Sequence, residues 1–225
     1  MRDFTVAYDG CQLFILNNKF EFFRWIAVVY FTVFHRIRFY GYKNIPATGP
    51  VIIAPNHISY YDPVIVGTGI MREMEIMAWG RLFSIPILKR IVRFFGGFPV
   101  EISKVDKSAY VNALKTLYNG KVLMVFPEGG RSIDGRIKTF KLGFVRIAFK
   151  TNARIVPVTI VGVYEAWPKH KKLPRPKKIS VYYHKPITIG KHEFADIKAK
   201  HEFFEKITNK VVEAINSKLE VKKGK

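Results

Sequence analysis

The 225-residue sequence predicts a single α/β domain, a mixed sheet flanked by helices, preceded by an amphipathic or apolar N-terminal helix. Three observations predict it. The length suits one substantial core. Short apolar runs alternate with segments of helical period, the pattern of strands layered against helices. A hydrophobic content of 48% with 15% aromatics excludes disorder in spite of the high charge.

Residues 19–39, KFEFFRWIAVVYFTVFHRIRF, read as the N-terminal helix, rich in aromatics and basic at its ends. Trp25, Tyr30 and Phe31 suit a headgroup region, and Arg24, Arg36 and Arg38 suit anionic phosphates. An ordinary core helix fits the same run, because periodicity alone does not separate the two. After the turn NIPATGP, VIIAP (51–55) is a short buried strand. A helix follows over 63–72, with Asp62 as N-cap and Pro63 at its first position. MEIMAW (74–79) reads as a strand. Residues 85–95 read as a helix with Ile87, Leu88, Ile91, Val92 and Phe95 on one face and Lys89, Arg90 and Arg93 on the other. FPVEI (98–102) is a strand, 106–119 a helix closed by Gly120, VLMVF (122–126) a strand and 142–150 a helix. RIVPVTIVG (154–162) contains a strand, WPKHKKLPRPKK (167–178) is a Pro-rich basic loop, and ISVYYH (179–184) is a strand. The last helix, about 200–219, carries Phe203, Phe204, Ile207, Val211, Ile215 and Leu219 on one side.

Lys and Arg number 38 against 17 Asp and Glu, a net charge of +21. Such an excess points to a polyanionic partner: nucleic acid, an anionic bilayer or a phosphorylated substrate. Apolar surface together with basic charge favours the bilayer, which rewards insertion. No zinc-finger spacing and no RNP-like aromatic motif supports a nucleic-acid binder, so no nucleic-acid partner is expected. Cys11 is the only cysteine, which rules out an intrachain disulfide and a cysteine-based zinc site. The opening MRDFTVAYDG does not have the pattern of a signal peptide. The longest apolar stretch, Trp25 to Phe34, is shorter than the roughly 20 residues a spanning helix needs. The expectation is therefore peripheral or monotopic association with the cytoplasmic face of a membrane.

Two segments carry chemistry. NHISYYD places His57 just beyond a strand and Asp62 five positions later. Open α/β sheets gather ligands at the carboxyl ends of strands. A histidine titrates near neutrality and removes a proton from a hydroxyl when a carboxylate orients its ring. By itself the spacing also fits a loop histidine beside a helix cap. No G-x-S-x-G elbow and no cysteine nucleophile accompanies the pair, which suits direct activation of a substrate hydroxyl. The second segment is FPEGGRS, 126–132. Gly129 and Gly130 allow a turn with exposed amides, and Arg131 adds a planar fork that grips phosphate. Glu128 accepts from a polyol hydroxyl or holds Arg131; a surface Gly-Gly turn with a local Glu–Arg pair fits equally.

Taken together, NH-x-x-x-x-D and FPEG-x-R-S resemble the 1-acylglycerol-3-phosphate acyltransferase (PlsC-like) family. GYKNIPATGPVIIAPNHISYYDP looks like its lead-in to the His–Asp motif, and the Val-Pro-Val run near Pro157 is similar to its fourth motif. The resemblance covers about Gly41 to Ile187. It implies a glycerolipid-acyltransferase-like fold, with residues 1–40 as a membrane-associating helical segment and 41–225 as the acyltransferase domain. It implies acyl transfer from acyl-CoA or acyl carrier protein, as co-substrate, to 1-acylglycerol-3-phosphate, with another lysophospholipid or a lyso-aminolipid as the alternative acceptor, and with no metal and no bound cofactor. His57 becomes the base and Asp62 its orienter. Glu128, Gly129, Gly130, Arg131 and Arg81 handle the acceptor, and Pro157 shapes the wall near the acyl donor. Ile102 stands where the family often has an arginine, so that Arg93, Lys104 or Lys107 would have to supply the missing cation. A hydrolase or thioesterase that activates water with His57 is the second reading.

Overall fold

Strand β2 (Val51–Pro55) lies at the centre of the sheet, and all five of its residues are buried. Side chains alternate across a pleat, so Val51 and Ile53 enter one core while Ile52 and Ala54 enter the other. A strand greasy on both faces needs cover on both, and that is the layer arrangement found in a computed structural model that describes residues 18–102, 105–168, 171 and 173–219. Seven strands form one mixed sheet: β1 (Arg38–Tyr40), β2, β3 (Met74–Trp79), β4 (Gly97–Val100), β5 (Val122–Met124), β6 (Arg154–Val161) and β7 (Ser180–Tyr183), in the order β1-β7-β6-β2-β5-β3-β4. Only the β6–β7 pair is antiparallel; the other neighbours run parallel.

Helices α1 (Asn18–His35), α2 (Asp62–Thr68) and α6 (Val163–Ala166) cover one face, contributing Phe31, Ile65, Val66 and Val163 to its core. On the other face, α4 (Lys107–Tyr118), α5 (Gly143–Thr151) and α7 (Ile197–Leu219) contribute Leu117, Phe144, Ile147, Phe204, Ile207, Val211 and Ile215. Helix α3 (Pro86–Phe94) buries no residue.

Several expected boundaries move, among them β5, which ends at Met124 rather than 126, and four have a visible local reason. The first helix, expected over 19–39, stops at His35 because Arg36 takes the left-handed conformation (φ 47°) and turns the chain into β1. The first 17 residues, Cys11 among them, lie outside the described ones; of the rest, Phe31 sits in the core and β1 pairs with β7, which ties residues 31–40 to the sheet. Helix α2 begins at Asp62, with Tyr61 in the capping position and no side-chain cap, so Asp62 is not the N-cap that was expected. It also ends at Thr68, short of 72. The Tyr183 hydroxyl donates to the Val66 carbonyl at 2.7 Å, and its ring leaves no room for a Cβ on Gly69. Strand β4 ends two residues early because the Glu101 amide turns to the Asp106 carboxylate (2.9 Å), which also caps α4 through the Ala109 amide.

Candidate active site

Parallel pairing of β2 with β5 matches Ile53 to Met124, so both strands deliver their following loops to the same sheet edge. Segments 56–62 and 126–132, some seventy residues apart in sequence, therefore meet. Two hydrogen bonds join them directly: the His57 amide donates to Glu128 Oε1 at 2.7 Å, and the Ser132 amide donates to the His57 carbonyl at 2.8 Å.

Asp62 is fully buried, and its Oδ2 accepts from three donors: His57 Nδ1 at 2.8 Å, the Ile58 amide at 2.6 Å and the Ser59 amide at 2.7 Å. The backbone groups can only donate, so the oxygen is an acceptor and the ring nitrogen facing it carries the proton. That leaves Nε2 with a free lone pair, the form a general base requires. The imidazole stacks on Phe126 with ring centres 3.9 Å apart and planes at 27°. Only 18% of the His57 side chain reaches solvent. Rotation is thus limited by an ionic partner on one edge and an aromatic plate on one face.

Asn56, just before His57, is buried and pairs with the backbone of β6: its Nδ2 donates to the Ile160 carbonyl (3.2 Å) and its Oδ1 accepts from the Ile160 amide (2.7 Å). The Ser59 hydroxyl donates to the Trp167 carbonyl at 2.8 Å. The turn is anchored at both ends by polar side chains whose roles depend on contacts more than 100 residues away.

Glu128 is placed differently from the expectation of a polyol or Arg131 partner. Both its oxygens accept from backbone, Oε1 from the His57 amide and Oε2 from the Lys138 amide at 3.0 Å. Burial pushes its carboxyl up to about 7, against the downward pull of those two amides. Glu128 is a clasp between the loops.

Gly129 adopts φ 65°, which L side chains avoid, and its amide donates to the Phe126 carbonyl at 3.0 Å. Of the two amides expected to face an anion, this one is already used, while Gly130 has open space above its Cα. A Cβ on Gly129 would lie 3.0 Å from Lys141 Cε and 3.5 Å from Ile102 Cγ2. Lys141 Nζ donates to the Ile102 carbonyl at 3.1 Å, and the Lys141 amide donates to the Pro127 carbonyl at 2.9 Å. A cation thus does stand beside Ile102, but Lys141 supplies it, a residue the sequence reading passed over. Its signal was available in the run FKLG after FPEGGRS, once the two loops are folded together. Lys104 lies outside the described residues.

Arg131 lies with its guanidinium over the ring of Tyr60, in the 56–62 turn. Arg81 stands in the 80–84 turn after β3, exposed, with its guanidinium 5.2 Å from the centre of the Trp79 ring. Among the described residues it makes no hydrogen bond or ring contact with His57, Glu128 or Arg131. Pro157 is buried within β6, in register with Ala54.

The Acyltransferase family model matches residues 36–161, which include both segments. A crystal structure of the 1-acyl-sn-glycerophosphate acyltransferase PlsC of Thermotoga maritima is similar, with a TM-score of 0.66 and 27% identity, over 86% of this chain and 78% of that one. The chain is 34% identical over 122 residues to a 1-acyl-sn-glycerol-3-phosphate acyltransferase of Borreliella burgdorferi, covering 53% of this chain and 49% of the relative. With the enzyme of that description from Limnanthes douglasii it shares 46% over 143 residues, 60% of this chain and 50% of the relative. The chain spans about half the length of the curated relatives it matches.

Proposed function

The chain belongs to the Acyltransferase family, and from that premise we propose that it transfers a fatty acyl group from an acyl thioester to the free hydroxyl of a lysophospholipid, 1-acylglycerol-3-phosphate giving phosphatidic acid. The observation that carries this reading is the His57–Asp62 pair, with the proton held on Nδ1 by a carboxylate oxygen that three donors share. His57 Nε2 takes the proton of the acceptor hydroxyl as its oxygen forms a bond to the thioester carbonyl carbon. The tetrahedral intermediate collapses with cleavage of the carbon–sulfur bond, and the imidazolium returns its proton to the departing thiolate. The substrate hydroxyl is the only nucleophile needed, and a metal or bound cofactor has no step to perform. Arg131 and Lys141, on either side of the Gly129–Gly130 turn, hold the acceptor's phosphate. Either acyl-CoA or acyl carrier protein serves as the donor, since the transferred group and the leaving thiol are chemically alike.

The same surface fits work at a bilayer. Among the described residues no helix is long and apolar enough to cross a membrane. Helix α1 nevertheless exposes Phe22, Phe23, Trp25, Ile26, Val29 and Val33, and α3 exposes Ile87, Ile91 and Phe94. Phe23 meets Phe94 edge to face at 5.2 Å, which joins the two helices into one apolar surface flanked by Arg24, Lys89, Arg90 and Arg93. Contiguous apolar surface of this kind is uncommon on free monomers and suits insertion beside anionic headgroups.

The test offers purified protein a panel of lysolipids with acyl-CoA and with acyl carrier protein, products read by mass spectrometry. Phosphatidic acid from 1-acylglycerol-3-phosphate is the expected product. Thioester turnover that persists undiminished without any acceptor would replace the transferase with a hydrolase.

A further inference from the structure

The guanidinium of Arg131 is held in a fixed seat. Its Cζ lies 3.5 Å from the centre of the Tyr60 ring, close contact for a planar cation on a π face. Tyr60 belongs to the catalytic turn, two residues before Asp62. Its own ring is about half exposed (52%) and leans on Trp167 with centres 5.5 Å apart. The backbone of Arg131 is fixed as well: its carbonyl accepts from Lys138 Nζ at 2.7 Å, and the next amide, of Ser132, donates to the His57 carbonyl. Arg131 Nη1 is buried and has no acceptor among the described residues. An arginine has a long flexible stem, and most of its orientations would turn the fork to solvent. Here both ends of the side chain are constrained, and the donor left without a partner is buried.

We infer that Tyr60 is a positioning residue for acceptor recognition: its ring sets the plane of the Arg131 guanidinium so that the fork meets a phosphate oxygen of the lysophospholipid. This rests on the reading of Arg131 as a phosphate ligand. It adds that the turn bearing the base also bears the platform of the phosphate site, so one seven-residue segment, 56–62, sets the span between the phosphate and the hydroxyl to be deprotonated. Tyr60 touches neither reacting atom and acts through Arg131. The alternative is a stack that merely packs one loop on another; it predicts no preference between acceptors.

The experiment compares full-length Tyr60→Phe, Tyr60→Leu, Arg131→Ala and the Tyr60→Leu/Arg131→Ala double variant. Activity is titrated against 1-acylglycerol-3-phosphate and against phosphate-free monoacylglycerol at saturating acyl donor. Tyr60→Leu is expected to raise the KM for the phosphorylated acceptor by roughly threefold to thirtyfold, with the effect on KM rather than kcat. The preference for phosphorylated over phosphate-free acceptor falls by the same factor. Tyr60→Phe, which keeps the π face, restores the wild-type KM. In the Arg131→Ala background, Tyr60→Leu adds nothing. Should Tyr60→Leu melt early, Tyr60→Gln carries the same comparison. The inference is overturned if Arg131→Ala raises the phosphorylated-acceptor KM while Tyr60→Leu does not, or if Tyr60→Leu impairs both acceptors equally. If Arg131→Ala itself leaves that KM unchanged, the phosphate-ligand reading fails, and this inference fails with it.

Discussion

In the proposed reaction His57 works only in the company of groups that fix its proton, and single substitutions expose that dependence. His57→Ala is expected to lower acyl transfer by about 10²–10⁴-fold while thermal melting stays near wild type, since the side chain makes one ionic contact and one stack. Asp62→Asn replaces a charged oxygen that accepts from three donors by a neutral amide oxygen, which holds those donors more weakly and no longer stabilises an imidazolium. Its kcat should fall comparably, with a stability loss that His57→Ala does not show. Equal stabilities for the two variants would mean that the backbone bonds to Asp62 contribute little. Lys141 supports a separate expectation. It lies beside Ile102 and across Gly129, so Lys141→Ala should raise the acceptor KM about tenfold, within the range of one charge-assisted hydrogen bond. Lys141→Arg should recover part of that, and an unchanged acceptor titration would leave Arg131 as the chief phosphate ligand.

At the scale of an element, α1 is pinned at its C-terminal end by a buried histidine. His35 is fully buried, its Nδ1 donates to the Lys177 carbonyl at 3.1 Å, and Nε2 has no partner among the described residues. Tyr30, Phe31, Phe34 and Tyr61 surround the ring. Burial holds its pKa below the ordinary 6.5. With the folded pKa depressed, His35 contributes stability that is present above pH 6.5 and lost as pH falls through the lowered value. Amide protection over α1, after the intrinsic rate's own pH dependence is divided out, should fall as the pH is taken below about 6.5, and His35→Phe should blunt that fall. A pH-independent α1 would place the acid sensitivity elsewhere, with His184, also lowered by burial, as the next group.

For the whole molecule, +21 charges and the joined apolar face of α1 and α3 lead to one expectation about membranes. The protein should bind vesicles containing anionic lipid more tightly than neutral ones, each basic residue near the surface contributing about 1 kcal/mol. Raised salt should weaken that binding and leave a remainder due to apolar insertion. Replacing Trp25 and Ile87 with Ser should remove the remainder without altering the salt-dependent part. Binding indifferent to lipid charge would overturn the electrostatic share. Extraction only by detergent, even at high salt and alkaline pH, would overturn the peripheral attachment.

Apolar periodicity determined the α/β layering, because burial of a strand's two faces or of a helix's stripe is a local pattern that neighbouring residues carry among themselves. The two motifs taken together pointed to His57 and Asp62, and five residues within one turn let ring and carboxylate meet. Only the tertiary structure decided the partners. Glu128 was legible as a motif carboxylate, yet its task as a clasp depends on the parallel pairing of β2 with β5. Asn56 needs β6, Tyr60 needs Arg131, and Lys141 needs Gly129 and Ile102, all contacts between segments that sequence distance keeps apart. Chain ends of elements were likewise decided by long-range groups, as where Tyr183 closes α2. A pattern within one segment records which side is buried; it does not record what comes to cover it.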